Sequence, residues 1–375
     1  MMMSNLPKDL VEEILSRVPF KYLRAVRSTC KNWNDISKTR SFANKHIDKA
    51  TVSGEKEFLM ITKFNVFRVG VNLHRSQNNN VDLSIELKGK LVSRDKTDDL
   101  FHKSQVIHCN GVFLCAREKM LVVLNPYWGQ TKWIMPRPPF GCSDRYALGY
   151  DKSSGSHKIL RLFGVNQKNL DVYDLSSSSW MVPDDVTLER DIYMQQGVSL
   201  KGDTYWYAKD EDSIDGYLLC FDFTRERFGP CLPLPQPLNE GYALYKGYAT
   251  LSVVTEEKLA VLLQRWDTTV IWVTNKIEPD AVSWSIFLKL DMIMEPKIHH
   301  YQNFFIDEEK KVAVVFDKDK DRSTWPPWMF KTIYNRAYIA GENGYFRSVD
   351  LLKSPNTRQL GRLVCSYVPS SMKVK

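Results

Sequence analysis

The sequence predicts an α+β protein in which a small N-terminal unit of three helices precedes a large all-β, propeller-like domain. Three observations predict this fold class. Apolar residues recur at helical spacing between Leu6 and Ile36, and this periodicity disappears after about residue 55. Beyond that point an aromatic landmark recurs at intervals of roughly 50 residues, which is typical of propeller blades. The length of the β region allows at most six or seven such units and about five are visible, so we predict about five to six irregular blades.

The first helix is predicted to lie between two prolines. Pro7 suits the first turn of a helix, because its missing N–H would have no partner there. Pro19 ends the helix, because its ring clashes with the preceding turn. Between the prolines the apolar residues form a stripe of helical period, made up of Leu6, Leu10, Ile14, Val11, Leu15 and Val18.

A second apolar stripe is predicted to form two short helices that divide near residues 27–29. Its members are Leu23, Val26, Cys30, Trp33 and Ile36. A unit of about 50 residues is too small to bury both stripes internally. Some of this apolar surface must therefore be covered, either by a partner protein or by the chain's own β body.

The helical unit is also basic. Residues 1–50 hold ten Lys and Arg against five Asp and Glu, a net charge of +5, whereas the remaining 325 residues carry only +3. A basic three-helix unit could be a helix-turn-helix DNA reader. However, Trp33 and Ile36 stand where a recognition helix needs polar side chains, so the cations are interpreted as a solvated face. No nucleic acid is predicted as a partner.

Composition and missing motifs exclude several other classes. No stretch approaches the ~18 apolar residues that span a bilayer, and residues 1–20 do not resemble a signal peptide, so we expect the nucleus and/or the cytoplasm. The seven cysteines include no Cys-x-x-Cys pair, which argues against a disulfide framework and a zinc module. Phosphate-loop, nucleophile-elbow and metalloprotease motifs are missing. The prediction is a non-catalytic chain without metal or cofactor.

Residues 317–321 imitate the start of a calcium loop. The sixth position is Arg322 instead of Gly, and the twelfth is Trp328 instead of Glu, so the loop is not a calcium site. An alternating-charge surface turn is the preferred interpretation. His299-His300 has no further ligands nearby in sequence, and we do not predict a metal site there.

The β region contains a repeat. Its aromatic landmarks Trp133, Trp180, Phe228 and Trp284 are separated by 47, 48 and 56 residues. An Asx-rich turn precedes each of the first three landmarks, after a run that reads as a strand. Trp133, Trp180 and Trp206 are interpreted as aromatics that pack the blades. Asn110-Gly111 and Lys201-Gly202 are predicted to be hairpin turns, where Asn and Gly accept positive φ.

One segment stands out as a possible contact with a target protein. Trp325 and Trp328 flank two prolines and would form a rigid apolar surface of the kind found at binding hot spots. The alternative is that both tryptophans pack against a neighbouring blade or against the helices.

The opening residues resemble an F-box. The resemblance is carried by Leu6-Pro7, Asp9-Leu10, Glu13-Ile14-Leu15, Arg17-Val18-Pro19, Leu23, Val26-Arg27, Cys30-Lys31 and Trp33-Asn34. It implies docking on a Skp-type adaptor, and through it on the cullin and RING subunits of a ubiquitin ligase. The adaptor-binding residues it implies are Leu6, Pro7, Leu10, Ile14, Leu15, Val18, Pro19 and Leu23. Cys30 and Trp33 would hold the three helices together.

The body resembles the F-box-associated domain of the large plant F-box families. The resemblance is carried by residues 109–115, Asn125-Pro126 with Trp133, residues 146–151, Val172-Tyr173 with Trp180, and residues 202–206. In that family the domain is taken to bind the protein destined for ubiquitination. The predicted boundaries are 1–48 for the F-box, 49–100 for a linker and the first strands, 101–368 for the F-box-associated domain and 369–375 for a tail.

Together the two resemblances imply a substrate-recognition subunit of a cullin-RING ubiquitin ligase of the SCF type. The adaptor would hold the helices while the β domain binds a target protein. The alternative is a propeller that binds a sugar or another small ligand, with the helices as a cap.

Overall fold

The computed structural model describes residues 6–19, 22–51, 56–61, 65–75, 81–93, 105–117, 119–141, 143–164, 168–183, 186, 192–194, 197–210, 216–235, 248–255, 257–264, 268–291, 303–320, 333–350, 362–367 and 369–374. Helices occupy the beginning of this set and strands the rest. The prediction of a mostly β domain behind a small helical unit is confirmed. No helix among these residues is long and apolar enough to cross a membrane.

The helical unit contains four helices instead of the predicted three. They are α1 (Lys8–Leu15), α2 (Leu23–Thr29), α3 (Lys31–Ser37) and α4 (Arg40–Thr51). The additional helix α4 buries Phe42, Ala43 and His46 on one side, which is a helical stripe that the sequence-based prediction did not use. The predicted division of the second stripe is confirmed, since Cys30 is extended between α2 and α3. The Cys30 side chain accepts a hydrogen bond from Trp33 N and so caps α3.

The described strands form six antiparallel sheets. Sheet 1 contains β1 (Lys56–Ile61), β2 (Asn65–Arg75), β3 (Val81–Ser93) and β26 (Arg362–Ser366). Sheet 2 contains β4 (Gln105–Cys109), β5 (Val112–Arg117), β6 (Met120–Asn125) and β7 (Gln130–Ile134). Sheet 3 contains β8 (Arg145–Tyr150), β9 (His157–Phe163), β10 (Asn169–Asp174) and β11 (Ser179–Met181).

The other three sheets follow in chain order. Sheet 4 contains β12 (Ile192–Met194), β13 (Val198–Leu200), β14 (Asp203–Asp210), β15 (Tyr217–Asp222), β16 (Arg227–Phe228) and β17 (Leu232–Pro233). Sheet 5 contains β18 (Tyr248–Thr255), β19 (Lys258–Gln264), β20 (Thr268–Ile277) and β21 (Val282–Asp291). Sheet 6 contains β22 (Asn303–Asp307), β23 (Val312–Lys320), β24 (Ile333–Gly341) and β25 (Phe346–Asp350).

Sheets 2 to 6 pack on one another in chain order and sheet 6 packs on sheet 1, through apolar side chains, in an arrangement like the blades of a propeller. Separate apolar cores lie between sheets 2 and 3, 3 and 4, 4 and 5, 5 and 6, and 6 and 1. The late strand β26 pairs with β1, with Phe58 opposite Ser366 and Leu59 opposite Cys365. Tyr367, which follows β26, also contacts the Phe113 ring of sheet 2. Residues from both ends of the body therefore meet in sheet 1.

The repeat seen in the sequence corresponds to equivalent turns of successive sheets. The turns that lead into β7, β11 and β16 begin with Asn125, Asp174 and Asp222, and each side chain accepts the N–H of the residue two positions later. Four residues after each of these positions the chain takes positive φ, at Gly129, Ser178 and Glu226. The same turn is thus built three times, once with asparagine and twice with aspartate.

The repeated tryptophans tie sheets together. The Trp180 indole donates to the Met135 carbonyl at 3.0 Å, and the Trp284 indole donates to the Pro233 carbonyl at 3.0 Å. Trp206 is buried in the core between sheets 3 and 4. The packing role predicted for Trp180 and Trp206 is confirmed, whereas Trp133 keeps 41% of its surface exposed.

Two of the turns predicted from the sequence are confirmed and a third is wrong for most of its residues. Asn110-Gly111 and Lys201-Gly202 form turns with positive φ at all four residues, as predicted. The charged surface turn predicted at residues 317–321 is wrong for residues 317–320, because they continue β23 and pair with β24. Alternating charge has a period of two, which is also the side-chain period of a strand.

Residues 49–100, predicted as a linker and the first strands, and the predicted tail both include residues that pack with the body. Residues 49–100 contain the end of α4 and the strands β1, β2 and β3, and Tyr367 N donates to the Glu57 carbonyl of β1. The described part of the tail, residues 369–374, lies against sheet 2, where Val374 is buried.

Gly149 marks the closest approach of sheets 3 and 4. A Cβ at this position would lie 2.2 Å from the Gly202 carbonyl oxygen and 2.2 Å from Cδ2 of Phe223. We expect Gly149→Ala to lower the free energy of unfolding by about 3 kcal/mol or more, because backbone must move to make room. Gly155→Ala is the control: its Cβ would meet nothing within 4 Å, although φ is +72°, so it should cost only about 1–2 kcal/mol. Urea unfolding of both variants measures the difference, and equal losses would contradict the packing argument.

Candidate functional site

The inner side of α1 is used to build the helical core. Val11 and Leu15 are buried there together with Leu23 of α2 and Ile36 of α3. Burying a leucine or valine side chain stabilises a fold by about 1.5–3 kcal/mol. These contacts fix the rotation of α1 about its own axis.

A second side of α1 is bound to α4 through charges. Glu12 accepts from Ser41 Oγ at 2.8 Å and lies 3.7 Å from Lys45 Nζ. Glu13 accepts from Lys49 Nζ at 2.5 Å and from Arg17 Nη2 at 2.9 Å. The hydrogen bonds from Lys49 and Arg17 lower the pKa of Glu13 to about 2. This row of polar contacts orients α1 further.

The remaining side of α1 is apolar and faces solvent. Leu6 is 38% exposed, Leu10 51% and Ile14 44%. Leu10 and Ile14 are four residues apart in α1 and therefore lie in one row along the helix. Leu6 precedes the helix, beyond its N-cap Pro7. We call Leu6, Leu10 and Ile14 the outer α1 face. Exposed apolar residues that adjoin one another indicate a surface meant for a partner.

The structure divides the eight residues that the F-box resemblance implied for adaptor binding. Leu6, Pro7, Leu10, Ile14 and Pro19 are exposed and Val18 is half-buried, whereas Leu15 and Leu23 lie in the chain's own helical core. Leu15 and Leu23 therefore cannot reach a partner without repacking the helices. The role implied for Cys30 also differs, because its side chain is exposed and caps α3, while Trp33 does pack against the core.

The helical core also contains a residue of the β body. Tyr127, in the turn between β6 and β7, is 2% exposed and packs with Phe42 and the other core residues of the helices. His46 of α4 lies beside it, with ring centroids 5.8 Å apart, and its Nε2 is 2.8 Å from the Val18 carbonyl. Burial raises the pKa of the Tyr127 phenol, which keeps it neutral.

Trp128 joins the helices to residues 369–374. Two cations lie over its indole ring, Arg27 of α2 at 5.3 Å and Lys373 at 5.5 Å from the centroid. Its Nε1 donates to the Ser371 carbonyl at 3.1 Å. Tyr127 and Trp128 were not predicted from the sequence. They could have been noticed because they are aromatic, whereas the equivalent positions in the turns of sheets 3 and 4 are the polar Ser176-Ser177 and Thr224-Arg225.

The other candidate residues fall into two groups, those outside the described residues and those buried in the body. Trp325 and Trp328 lie outside the described residues, as does His299-His300. In the described ranges no group of three or more His, Cys, Asp or Glu side chains could hold a metal ion. Cys109 and Cys115 are buried, and burial raises the pKa of each thiol to about 12, so neither is an activated nucleophile.

The chain thus consists of a helical unit with exposed apolar residues on α1, packed on a larger β domain. Comparison with known families agrees with this description. A model of the F-box domain matches residues 3–45, and a model of the F-box associated beta propeller domain matches residues 57–374.

Two relatives match the chain over nearly their whole length. The chain is 81% identical to the putative F-box/kelch-repeat protein At3g20710 of Arabidopsis thaliana, over 98% of this chain and 99% of the relative. It is 51% identical to the F-box protein At3g20690 of the same plant, over 100% of both chains. The chain therefore belongs to the F-box proteins that carry an F-box associated β-propeller domain.

Solved structures resemble the chain only distantly. An oligogalacturonate lyase in complex with manganese is 7% identical, with a TM-score of 0.41 over 78% of this chain and 75% of the other. This likeness carries no argument about ligands or activity.

The two sides of α1 should respond differently to truncation. We expect Leu15→Ala to destabilise the helical unit by about 2–5 kcal/mol, because it leaves a cavity in the core. Leu10→Ala should change stability by about 0.5 kcal/mol or less, because Leu10 is half exposed and lies outside the core. The helical circular dichroism signal followed during urea unfolding measures both. Equal effects would show that α1 is rotated differently.

The contact between helices and body should weaken in acid. Burial lowers the pKa of His46 below its usual 6.5, so the folded form binds the neutral ring. The contribution of His46 is complete above pH ~6.5, where the unfolded chain also holds a neutral ring, and is lost as the pH falls below that value. The free energy of unfolding between pH 7.5 and 5 should drop less in His46→Gln, whose amide can still donate to the Val18 carbonyl. Identical pH profiles for the two proteins would refute this role.

Proposed function

We propose that the chain is a substrate-recognition subunit of a cullin-RING ubiquitin ligase. The helices would dock on a Skp-type adaptor, which connects to the cullin and RING subunits, and the β body would bind the target protein. The chain itself would need no cofactor and perform no chemistry. It would act by holding lysines of the target near the charged ubiquitin carrier, which raises their effective concentration.

The observation that supports the proposal is the outer α1 face. Two other sides of α1 are occupied, by the helical core and by the contacts of Glu12 and Glu13 with α4. The outer α1 face, made up of Leu6, Leu10 and Ile14, remains exposed to solvent. A helix with such a face fits a hydrophobic groove, where a few buried anchors dominate the binding energy. The F-box family membership points to an adaptor as the protein that supplies this groove.

The β body is proposed to close as a propeller of six blades through the pairing of β26 with β1. The target would bind to this body, and Trp325 and Trp328 remain the sequence-based candidates for that contact. A ligase subunit of this kind would act in the nucleus, the cytoplasm or both.

Adaptor binding is tested with the double variant Leu10→Asp, Ile14→Asp. Each side chain contributes about 1.5–3 kcal/mol when buried, and a carboxylate in the groove adds a desolvation cost. We therefore expect the dissociation constant for a purified Skp-family adaptor to rise at least about 100-fold. Isothermal titration calorimetry measures it, and the unfolding midpoint should stay close to that of the original chain because both positions are exposed.

The matched control is Met135→Asp, which places the same charge on an apolar residue of the body that is 75% exposed. It should leave adaptor binding unchanged. The proposal fails if the original chain binds no adaptor, or if the double variant binds as tightly as the control.

A further inference from the structure

Three parts of the chain meet at one turn of the β body. The turn at residues 125–129 inserts Tyr127 into the helical core, and residues 369–374 lie against the same turn. Asn125 Nδ2 donates to the Ser370 carbonyl at 3.1 Å and to the Met372 carbonyl at 2.6 Å. Gln130 Oε1 accepts from Val374 N at 3.0 Å. We call the turn and residues 369–374 together the joint.

The amide of Asn125 has two separate uses. Its Oδ1 accepts from Tyr127 N at 2.9 Å and closes the turn, as Asp174 and Asp222 close the equivalent turns. Its Nδ2 holds residues 369–374, which an aspartate could not do because a carboxylate has no donor. The difference between asparagine here and aspartate in the other two turns therefore matches an additional contact.

Trp128 connects the same segment to the helices. Its indole N–H is bound to Ser371, and its ring lies under the Arg27 guanidinium of α2 as well as the Lys373 ammonium. Arg27 is held in turn by Ser37 of α3, with Nε 3.3 Å from the Ser37 hydroxyl. The Trp128 indole thus contacts both helix α2 and residues 369–374.

We propose that Asn125 and Trp128 are positioning residues that fix the direction of the outer α1 face relative to the β body. The helices are also joined to β1 through the chain, but a single covalent connection leaves the orientation of a unit free. The joint restricts that freedom by two contacts with the helices, Tyr127 in the helical core and Trp128 under Arg27. Residues 369–374, which Asn125 binds, hold Trp128 in place through the Ser371 carbonyl.

The consequence for activity rests on the function proposed above. If the adaptor holds the outer α1 face and the target lies on the body, the joint sets where the target's lysines are presented. A misplacement of reacting groups lowers the rate even when binding is unchanged. Loosening the joint should therefore alter presentation and not adaptor affinity.

The sharpest variant is Asn125→Asp. It keeps the acceptor that closes the turn, in the form that the turns at Asp174 and Asp222 already use, and removes the donor that holds residues 369–374. Trp128→Ala removes the contact with Arg27 and Ser371. Trp128→Phe retains a ring for the cations but loses the indole donor, so its effect should lie between that of the original chain and that of Trp128→Ala. The control is Asp174→Asn, which makes the opposite exchange in the turn of sheet 3.

The direction of the outer α1 face is measured in the full chain without adaptor. Spin labels on p-acetylphenylalanine replace the exposed Lys8 of α1 and Ser177 of sheet 3, and pulsed electron resonance gives the distribution of distances between them. We expect one narrow distribution for the original chain and for Asp174→Asn. Asn125→Asp and Trp128→Ala should broaden it at least about twofold, because a unit held by fewer contacts samples more orientations.

Adaptor binding, measured by calorimetry with a purified Skp-family adaptor, separates the two proposals. The positioning role of the joint is supported if the distance distribution broadens while the dissociation constant of the variant stays within about twofold of that of the original chain. A twofold change corresponds to less than about 0.5 kcal/mol of binding free energy. A distribution that remains narrow in both Asn125→Asp and Trp128→Ala overturns the joint. If the original chain binds no adaptor, the proposed ligase function is wrong. The distance distributions still test the positioning role of the joint in that case, because they are measured without adaptor.

Discussion

The insertion of Tyr127 into the core of the helices is the contact on which the arrangement of the two domains depends. The helices of the described N-terminal part are too short and too few to complete an apolar core alone, and the Tyr127 ring of the β body packs in the same core as Phe42 and Ala43. The same insertion decides which side of α1 turns outward. With Val11 and Leu15 committed to this core, Leu10 and Ile14 must face solvent, and the outer α1 face follows from the packing on the opposite side.

The β body repeats one type of turn in sheets 2, 3 and 4, and the copy in sheet 2 differs from the other two in the residues that attach the helices. Asp174 and Asp222 close their turns with a carboxylate and have hydroxyl or charged residues behind them. In the copy at Asn125 the following positions are aromatic, and the closing side chain carries a donor. One copy of the repeated turn thus serves as an attachment site because a few of its side chains differ, while the residue four positions after its start has positive φ as in the other two copies.

The fold class and the presence of an apolar stripe on α1 could be predicted from the sequence, because both depend on periodicity along the chain. The spacing of Leu6, Leu10 and Ile14 and the recurrence of Trp133, Trp180 and Phe228 are local patterns. The burial of Leu15 and Leu23 in the helical core could not be predicted, because an apolar stripe does not show which of its members face the chain's own core. The same limit explains why Tyr127 was missed: its partners lie about 80 residues earlier. The strand at residues 317–320 was misjudged because alternating charge fits a turn and a strand equally well.

The pairing of β26 with β1 sets an order for events during synthesis. Some 300 residues separate the two strands, and ribosomes add about 5–20 residues per second, so β1 waits on the order of 15–60 s for its neighbour. During that interval its free edge can bind other strands, and the helices have emerged without the segment that anchors them. Residues 362–374 then complete sheet 1 and the attachment of the helices nearly together. A nascent chain of this protein is therefore exposed to misassembly until residues 362–374 have left the ribosome.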